Sequence, residues 1–134
     1  MANSAYKKGV KRLLNGSGLV WGTGNWKAVL LSSAYTVNTT THEFLSDLTG
    51  TVATSANMTT LAVADDGVFT ADPAEFTAVS GSTAPSLVVY HDTGTAGTSE
   101  LLIFFDSLAG LPITPNGTNV TIEWSTGADG LLHL

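Results

Sequence analysis

The sequence contains no cysteine, which excludes disulfide bonds and thiolate metal sites from the 134-residue chain. It also contains little charge: 12% of its residues are Asp, Glu, Lys or Arg, against about 25% in a typical domain. No apolar run approaches the roughly 20 residues that a membrane-spanning helix needs. We therefore expect no membrane span, and a surface with few flexible charged side chains to immobilise in contacts with neighbouring molecules.

Charges of opposite sign are separated along the chain. All five basic residues lie at or before Lys27, and all eleven acidic residues lie at or after Glu43. Residues 1–27 therefore carry +5 and residues 28–134 carry −11, which together give the net charge of −6. This separation attracts the N-terminal segment to acidic surfaces, either on its own body or on a neighbouring copy. The sequence leaves both possibilities open.

The N-terminal segment, residues 1–16, is predicted to be a basic helical arm. Residues 3–14 have the spacing of an amphipathic helix, which Asn3 or Ser4 could cap and Gly16 could end. Its apolar side chains are Tyr6, Val10, Leu13 and Leu14. The cations off that face, which we expect to contact a partner, are Lys7, Lys8, Lys11 and Arg12.

From residue 17 onward the pattern indicates about seven to nine short strands separated by turns. Two continuous apolar runs, Leu87–Tyr90 and Leu101–Phe105, are typical of strands buried on both faces. A Gly-rich loop between Leu19–Trp21 and Trp26–Leu31 predicts a hairpin. The other predicted elements are a helical turn within Glu43–Leu48 and strands at Met58–Val63, Val68–Thr70, Glu75–Val79, Val120–Trp124 and Leu131–Leu134. The predicted fold is mainly β: a single β-sandwich domain of jelly-roll type over residues 1–134, with a short N-terminal α-helix.

Residues that could carry chemistry are present but form no known motif. The histidines, at 42, 91 and 133, lack metal-binding spacing, and His91 and Asp92 should point to opposite faces of a strand. Carboxylates at Asp65, Asp66, Asp72 and Glu75 could gather around calcium, but they miss the EF-hand spacing, so solvated turn residues are the default. We therefore predict that the chain is not an enzyme and has no cofactor and no metal site.

Three binding alternatives start from other residues. Trp21, Trp26 and Trp124 could form a carbohydrate-stacking face, although core positions are favoured for them. The basic cluster of the arm lacks interleaved aromatic residues and accompanies an acidic body, which argues against a nucleic-acid partner. Its apolar stripe is short and contains one aromatic residue, which argues against a membrane surface.

A series of short segments gives a further indication. WKAVLLSSAY at 26–35 is followed by THEFLSD at 41–47, ADP at 71–73 and VVYHDTG at 88–94. LLIFFD at 101–106, VTIEW at 120–124 and GLL at 130–132 complete the series. In this order, over residues 6–134, the segments resemble small virion structural proteins of tailed bacteriophages, of the head decoration or cement type. The sequence departs from that pattern over residues 49–57, where no strand is predicted.

The resemblance implies a structural component of a phage particle that decorates and stabilises the capsid without catalysis. Its implied partners are the major capsid protein and copies of itself, in a homo-oligomer such as a trimer. It would be made in the host cytoplasm and occupy the outer surface of the capsid of the virion. A tail or baseplate structural protein is one alternative, and a carbohydrate-binding module is another.

Overall fold

A computed structural model describes residues 4–16, 19–65, 67–108, 110–124 and 131–133. The fold is mainly β with one short N-terminal α-helix, as predicted. Helix α1 spans Lys7–Leu14, and a 3-10 helix spans Leu45–Asp47. The strands are β1 (Ser4–Ala5), β2 (Asn25–Leu31), β3 (Thr51–Thr54), β4 (Ala62–Val63), β5 (Val68–Thr70), β6 (Ala74–Phe76), β7 (Ser86–Asp92), β8 (Leu101–Phe105), β9 (Val120–Ile122) and β10 (Leu132–His133).

A five-stranded antiparallel sheet, in the order β1-β8-β7-β2-β3, forms the centre of the molecule. Strands β2 and β7 pair along their whole length, from Asn25 opposite Asp92 to Leu31 opposite Ser86. All five residues of Leu101–Phe105 are buried. The prediction that the two continuous apolar runs form strands buried on both faces is therefore confirmed.

Apolar side chains cover both faces of this central sheet. The larger cluster joins its inward residues to those of two smaller sheets, β10-β5-β4 and β6-β9. That cluster includes Trp26, Ala28, Leu30, Phe69, Phe76 and Ile122. The smaller cluster, on the other side, includes Tyr6, Val29, Leu31, Tyr35, Val88, Tyr90 and Phe104. The alternation of β2 between the two clusters is the period of two expected of a strand.

A β-bulge interrupts the pairing of β7 with β8. Val89 pairs with Ile103 and Tyr90 with Leu101, so that Leu102 is an extra residue on β8. Leu102 and Ile103 consequently both belong to the larger cluster. The bulge also turns the Leu102 carbonyl toward the N-terminal segment, where it accepts a hydrogen bond from the N–H of Tyr6 at 2.8 Å.

Two details of the predicted N-terminal region are wrong. The hairpin between Leu19–Trp21 and Trp26–Leu31 does not form, because β2 pairs with the distant strands β7 and β3 instead. Helix α1 begins at Lys7, and Ser4 lies in β1 rather than capping the helix. Asn3 lies outside the described residues. The helix ends as predicted, with Gly16 at a φ of 73°, in the left-handed region that glycine tolerates.

Elsewhere the predicted strands are present, some of them with shorter bounds, and one strand was missed. Met58–Val63 forms a strand only at β4, and Glu75–Val79 and Val120–Trp124 correspond to β6 and β9. Strand β3 lies at the edge of the central sheet, in the region where no strand was predicted. The helical turn predicted within Glu43–Leu48 corresponds to the 3-10 helix.

Candidate interaction site

Helix α1 is fixed to the body by close backbone contact at Gly9. A Cβ atom on Gly9 would lie 2.0 Å from the backbone oxygen of Leu101, so no other residue fits there without moving β8 or the helix. Tyr6, immediately before the helix, is fully buried. The N–H of Lys7 donates to the carbonyl of Thr39 at 2.9 Å. These contacts give α1 an inner face that is part of the packed body.

Apolar side chains complete this inner face, with one departure from the predicted stripe. Val10 and Leu13 are partly buried and pack against the larger cluster, while Tyr6 belongs to the smaller one. Leu14, also predicted to lie in the stripe, is 69% exposed. The helix therefore lies across strand β8 and contacts the residues of both clusters.

The outer face of α1 carries the four cations Lys7, Lys8, Lys11 and Arg12. Lys7, Lys8 and Lys11 are exposed and Arg12 is partly exposed. A groove of about 390 Å³ runs beside the helix, and we call it the basic groove. It is lined by Lys8, Lys11, Arg12, Asn15 and Glu43. Positions 8, 11, 12 and 15 fall on one side of a helix because they are spaced by three, four and seven residues.

An ion-pair network joins the outer face of α1 to the body. Arg12 hydrogen-bonds Glu43 and lies 3.9 Å from Glu100, measured from Nη1 to Oε2. The Lys8 ammonium lies 3.5 Å from Glu43, and His91 Nδ1 lies 3.3 Å from Glu100. The hydrogen bond from Arg12 holds the pKa of the Glu43 carboxyl below its ordinary value. The Arg12 guanidinium also covers an aromatic ring, that of Phe44, at 5.1 Å.

Two of the four predicted contact residues form ion pairs with the body of the chain. Arg12 and Lys8 pair with carboxylates of the same chain, so the helix does fold back on its own acidic body in part. Lys7 and Lys11 form no salt bridge with any residue that the structure describes. That these four residues contact a partner stays a prediction, for which Lys7 and Lys11 are the cations still available.

His91 and Asp92 do not face each other, as strand alternation predicted. The His91 ring packs against Trp26, with ring centroids 5.2 Å apart and ring planes tilted by 46°, and its Nδ1 lies 3.3 Å from Glu100 Oε1. The Asp92 carboxylate instead receives the Lys27 ammonium at 2.9 Å. That hydrogen bond, with a second from the N–H of Gly94, lowers the pKa of Asp92. Both side chains therefore stabilise the sheet, each through a different partner.

A chain of hydrogen bonds that the sequence did not reveal links three segments. The hydroxyls of Tyr6 and Tyr35 are 2.8 Å apart, and the Tyr35 hydroxyl is 2.8 Å from His42 Nδ1. Burial raises the pKa of both tyrosines, so the two hydroxyls stay protonated. When His42 Nδ1 accepts from Tyr35, Tyr35 in turn accepts from Tyr6, and every buried hydroxyl hydrogen has a partner. Residues 6, 35 and 42 fall in three separate segments, and sequence spacing gave no signal that their side chains contact one another.

The candidate calcium-binding residues that the structure describes have different surroundings. Asp72 accepts hydrogen bonds from the hydroxyls of Thr59 and Thr60, at 3.1 and 2.7 Å. Asp65 is exposed in the turn between β4 and β5, and Asp66 lies outside the described residues. Within the described ranges no group of three or more His, Asp or Glu is arranged to hold a metal ion. His133 belongs to β10.

The three tryptophans are buried, so the core interpretation is confirmed for them. Trp26 is 1% exposed, Trp124 7% and Trp21 8%. Their indole N–H groups donate to backbone carbonyls of the same chain, those of Thr23, Asp72 and Ala62 in turn, at 2.9–3.1 Å. An exposed stacking face built from them is therefore excluded. In the described part of the chain, no helix is long and apolar enough to cross a membrane.

Comparison with known proteins adds no relative to this picture. No protein-family model matches the chain, and no curated protein sequence matches it. The resemblance to phage virion proteins therefore depends on the ordered segments alone.

Proposed function

We propose that this chain is a structural protein of a bacteriophage particle, which decorates and stabilises the capsid through protein–protein contacts. In this proposal it lies on the outer surface of the virion. Its partners are the major capsid protein and copies of itself, in a homo-oligomer such as a trimer. It carries out no catalysis and requires no cofactor.

The observation that carries the proposal is where the resembling segments fall in the fold. The segment at 26–35 contains all of β2 except its first residue, and the segment at 41–47 contains the 3-10 helix. The segment at 88–94 contains the last five residues of β7, and the segment at 101–106 contains all of β8. These elements adjoin one another in the structure, since β2, β7 and β8 are neighbours in the central sheet. Segments that recur in proteins of one fold are expected at the positions that build its core, and these three strands are buried there.

The arrangement of polar groups also favours a role in contacts over a role in chemistry. The histidines at 42 and 91 are hydrogen-bonded into the body, through Tyr35 and Glu100. The exposed cations of α1, by contrast, occupy a surface that is held rigidly from behind at Gly9. Because the backbone of α1 is already ordered, a partner that binds this surface immobilises only the side chains.

The finer fold assignment, a β-sandwich of jelly-roll type, is part of the proposal. Its support is that the central sheet and the two smaller sheets contribute to one apolar cluster, as the two layers of a sandwich do. All strand pairs are antiparallel in the described residues, which such a fold also requires.

Immunogold electron microscopy tests the location. Antibodies raised against the purified chain are applied to intact particles from its source, and to heads and tails separated from them. The proposal predicts gold on heads. Gold on tails alone would replace decoration by the alternative of a tail or baseplate protein, and particles without label would contradict any role in the virion.

A glycan array, read with the purified chain, tests the carbohydrate-binding alternative. Because the three tryptophans are buried, no binding is expected. Binding accompanied by quenching of tryptophan fluorescence would contradict the proposal, since it would require an indole to reach the ligand.

A further inference from the structure

The basic groove has more positive than negative charge in its lining. Lys8, Lys11 and Arg12 face a single carboxylate there, that of Glu43. Arg12 and Lys8 share that carboxylate, whereas Lys11 is exposed and has no salt bridge to a described residue. A groove with uncompensated cations on a rigid wall is suited to an acidic surface.

An exposed acidic surface lies on the two-stranded sheet formed by β6 and β9. Glu75 in β6 is opposite Thr121 in β9, and both are exposed while their neighbours Phe76 and Ile122 are buried. Glu123 is exposed two residues beyond Thr121, just past the end of β9, on the same side of the chain as Thr121 because exposed and buried residues alternate there. We call Glu75, Thr121 and Glu123 the acidic ridge.

The acidic ridge also lacks a counter-charge. Neither Glu75 nor Glu123 forms a salt bridge with any residue in the described ranges. No lysine or arginine follows Lys27 in the sequence, and Lys27 itself pairs with Asp92. The carboxylates that meet α1 within the chain are those of Glu43 and Glu100, not those of the ridge.

We propose that the basic groove of one copy binds the acidic ridge of a second copy of this chain. The occupant follows from charge complementarity: the groove has a spare cation, the ridge has two spare carboxylates, and both surfaces are exposed in one molecule. The contact is heterologous, because two different surfaces meet. Repeated, it closes into a ring when the rotation between copies allows, and otherwise extends into a chain.

This inference rests on the proposed function for its place in the particle. It deepens that function by assigning the surfaces through which copies of the chain contact one another. It is tested with the purified full chain in the absence of any particle. If the purified chain does not associate in this way, the groove-to-ridge contact is contradicted. The location in the virion is then still decided by the labelling experiment.

Sedimentation velocity measures the contact, for wild type and for two charge reversals, Lys11→Glu in the groove and Glu75→Lys in the ridge. At about 10 mM salt, where charges act over roughly 30 Å, wild type should associate, and at about 1 M salt it should dissociate. Each reversal places like charges in the contact and should weaken association by about tenfold or more.

Mixing the two variants gives the decisive result. In an equimolar mixture the reversed groove of one variant meets the reversed ridge of the other, and the unchanged surfaces match as well. Association of the mixture should therefore recover toward wild type, although each variant alone stays dissociated. A single chain carrying both changes should recover in the same way, including in rings with an odd number of copies.

Matched controls change the net charge equally outside the two surfaces. Lys7→Glu lies on the same helix but does not line the groove, and Asp65→Lys lies in the exposed turn after β4. Both should leave association within about twofold of wild type, apart from a general effect of net charge that salt removes. A monomeric wild type at low salt, controls as weak as the test variants, or no recovery on mixing would each overturn the inference.

Discussion

The two faces of helix α1 differ in what holds them. The inner face meets the body through backbone: Gly9 lies against the Leu101 carbonyl, and the N–H of Tyr6 donates to Leu102. The outer face is joined to the body through long side chains, of which Arg12 forms the closest ion pair. Buried close packing is sensitive to a single added carbon, whereas exposed ion pairs contribute little to stability. The comparison indicates that the inner face holds the helix in place and that the outer face is available to a partner.

The largest expected effect comes from adding a methyl group to the inner face. In an isolated helix Gly9→Ala would be favourable by about 1 kcal/mol, because alanine is the better helix former. In this fold the new Cβ would meet the Leu101 oxygen at 2.0 Å, so we expect a net loss of about 3 kcal/mol in the free energy of unfolding. Urea unfolding measures this change.

Gly97→Ala is the matched control, since a Cβ there meets nothing within 4 Å. Its stability should equal that of wild type or exceed it by about 0.5 kcal/mol. If Gly9→Ala were as stable as Gly97→Ala, the docking of α1 on β8 would be contradicted.

The next effect comes from the hydrogen-bonded chain behind the helix. Tyr35→Phe removes the hydroxyl between Tyr6 and His42, and it leaves the fully buried Tyr6 hydroxyl without its partner. We expect a loss of about 2 kcal/mol in unfolding free energy. The double variant with Tyr6→Phe removes the stranded hydroxyl as well, and should be less destabilised than the sum of the two single changes. Additive losses would show that the two hydroxyls do not interact.

A smaller effect is expected from acid, through carboxylates near the outer face. Asp47 accepts from the N–H groups of Phe44 and Glu43, at 3.0 and 2.8 Å, and these bonds lower its pKa below the ordinary value of 3.8. A lowered pKa gives stability that is full above the ordinary value and is lost as the pH falls through the folded value. Urea unfolding should therefore show stability declining from about pH 5 downward. Asp47→Asn should flatten that decline, and an unchanged slope would contradict the assigned cause.

The smallest effect on stability is expected at the cation with no partner on the outer face. Lys11→Gln removes an exposed charge that pairs with no described residue, so unfolding free energy should change by less than about 0.5 kcal/mol. Arg12→Gln is the comparison, because it removes the pairing with Glu43 and the contact with Phe44, and should cost more. An equal loss of unfolding free energy in the two variants would contradict the view that Arg12 is held by the body and that Lys11 is available to a partner.

The parts of the fold that were predicted well are those in which the local sequence pattern favours one secondary structure. Leu101–Phe105 is a strand with the predicted bounds, because a run of five apolar residues is too short for a typical helix and contains Ile and Phe, which favour strands. The helix end at Gly16 likewise depends on one residue's conformational freedom. Such signals lie within a few residues of the element that they specify.

The parts that the sequence did not predict depend on contacts between distant segments. The hairpin predicted for Leu19–Trp21 was wrong because its pattern did not reveal that β7, some sixty residues away, is the partner of β2. Strand β3 was missed because its short, partly exposed sequence, TVAT, resembles the loops around it. The same reason applies at the candidate site: the four cations were predicted from their spacing, but their pairing with Glu43 and Glu100 depends on the docked position of α1.

Rebinding to particles tests the division between the two faces of α1 most directly. On the proposed function the chain can be stripped from the particle, and the stripped particles are then incubated across a salt series with wild type or with the variant Lys7→Glu/Lys11→Glu, with occupancy measured by densitometry. We expect the variant to unfold at the same urea concentration as wild type, while its occupancy at low salt falls by about tenfold or more. Equal occupancy at every salt concentration would show that the outer face of α1 meets no partner.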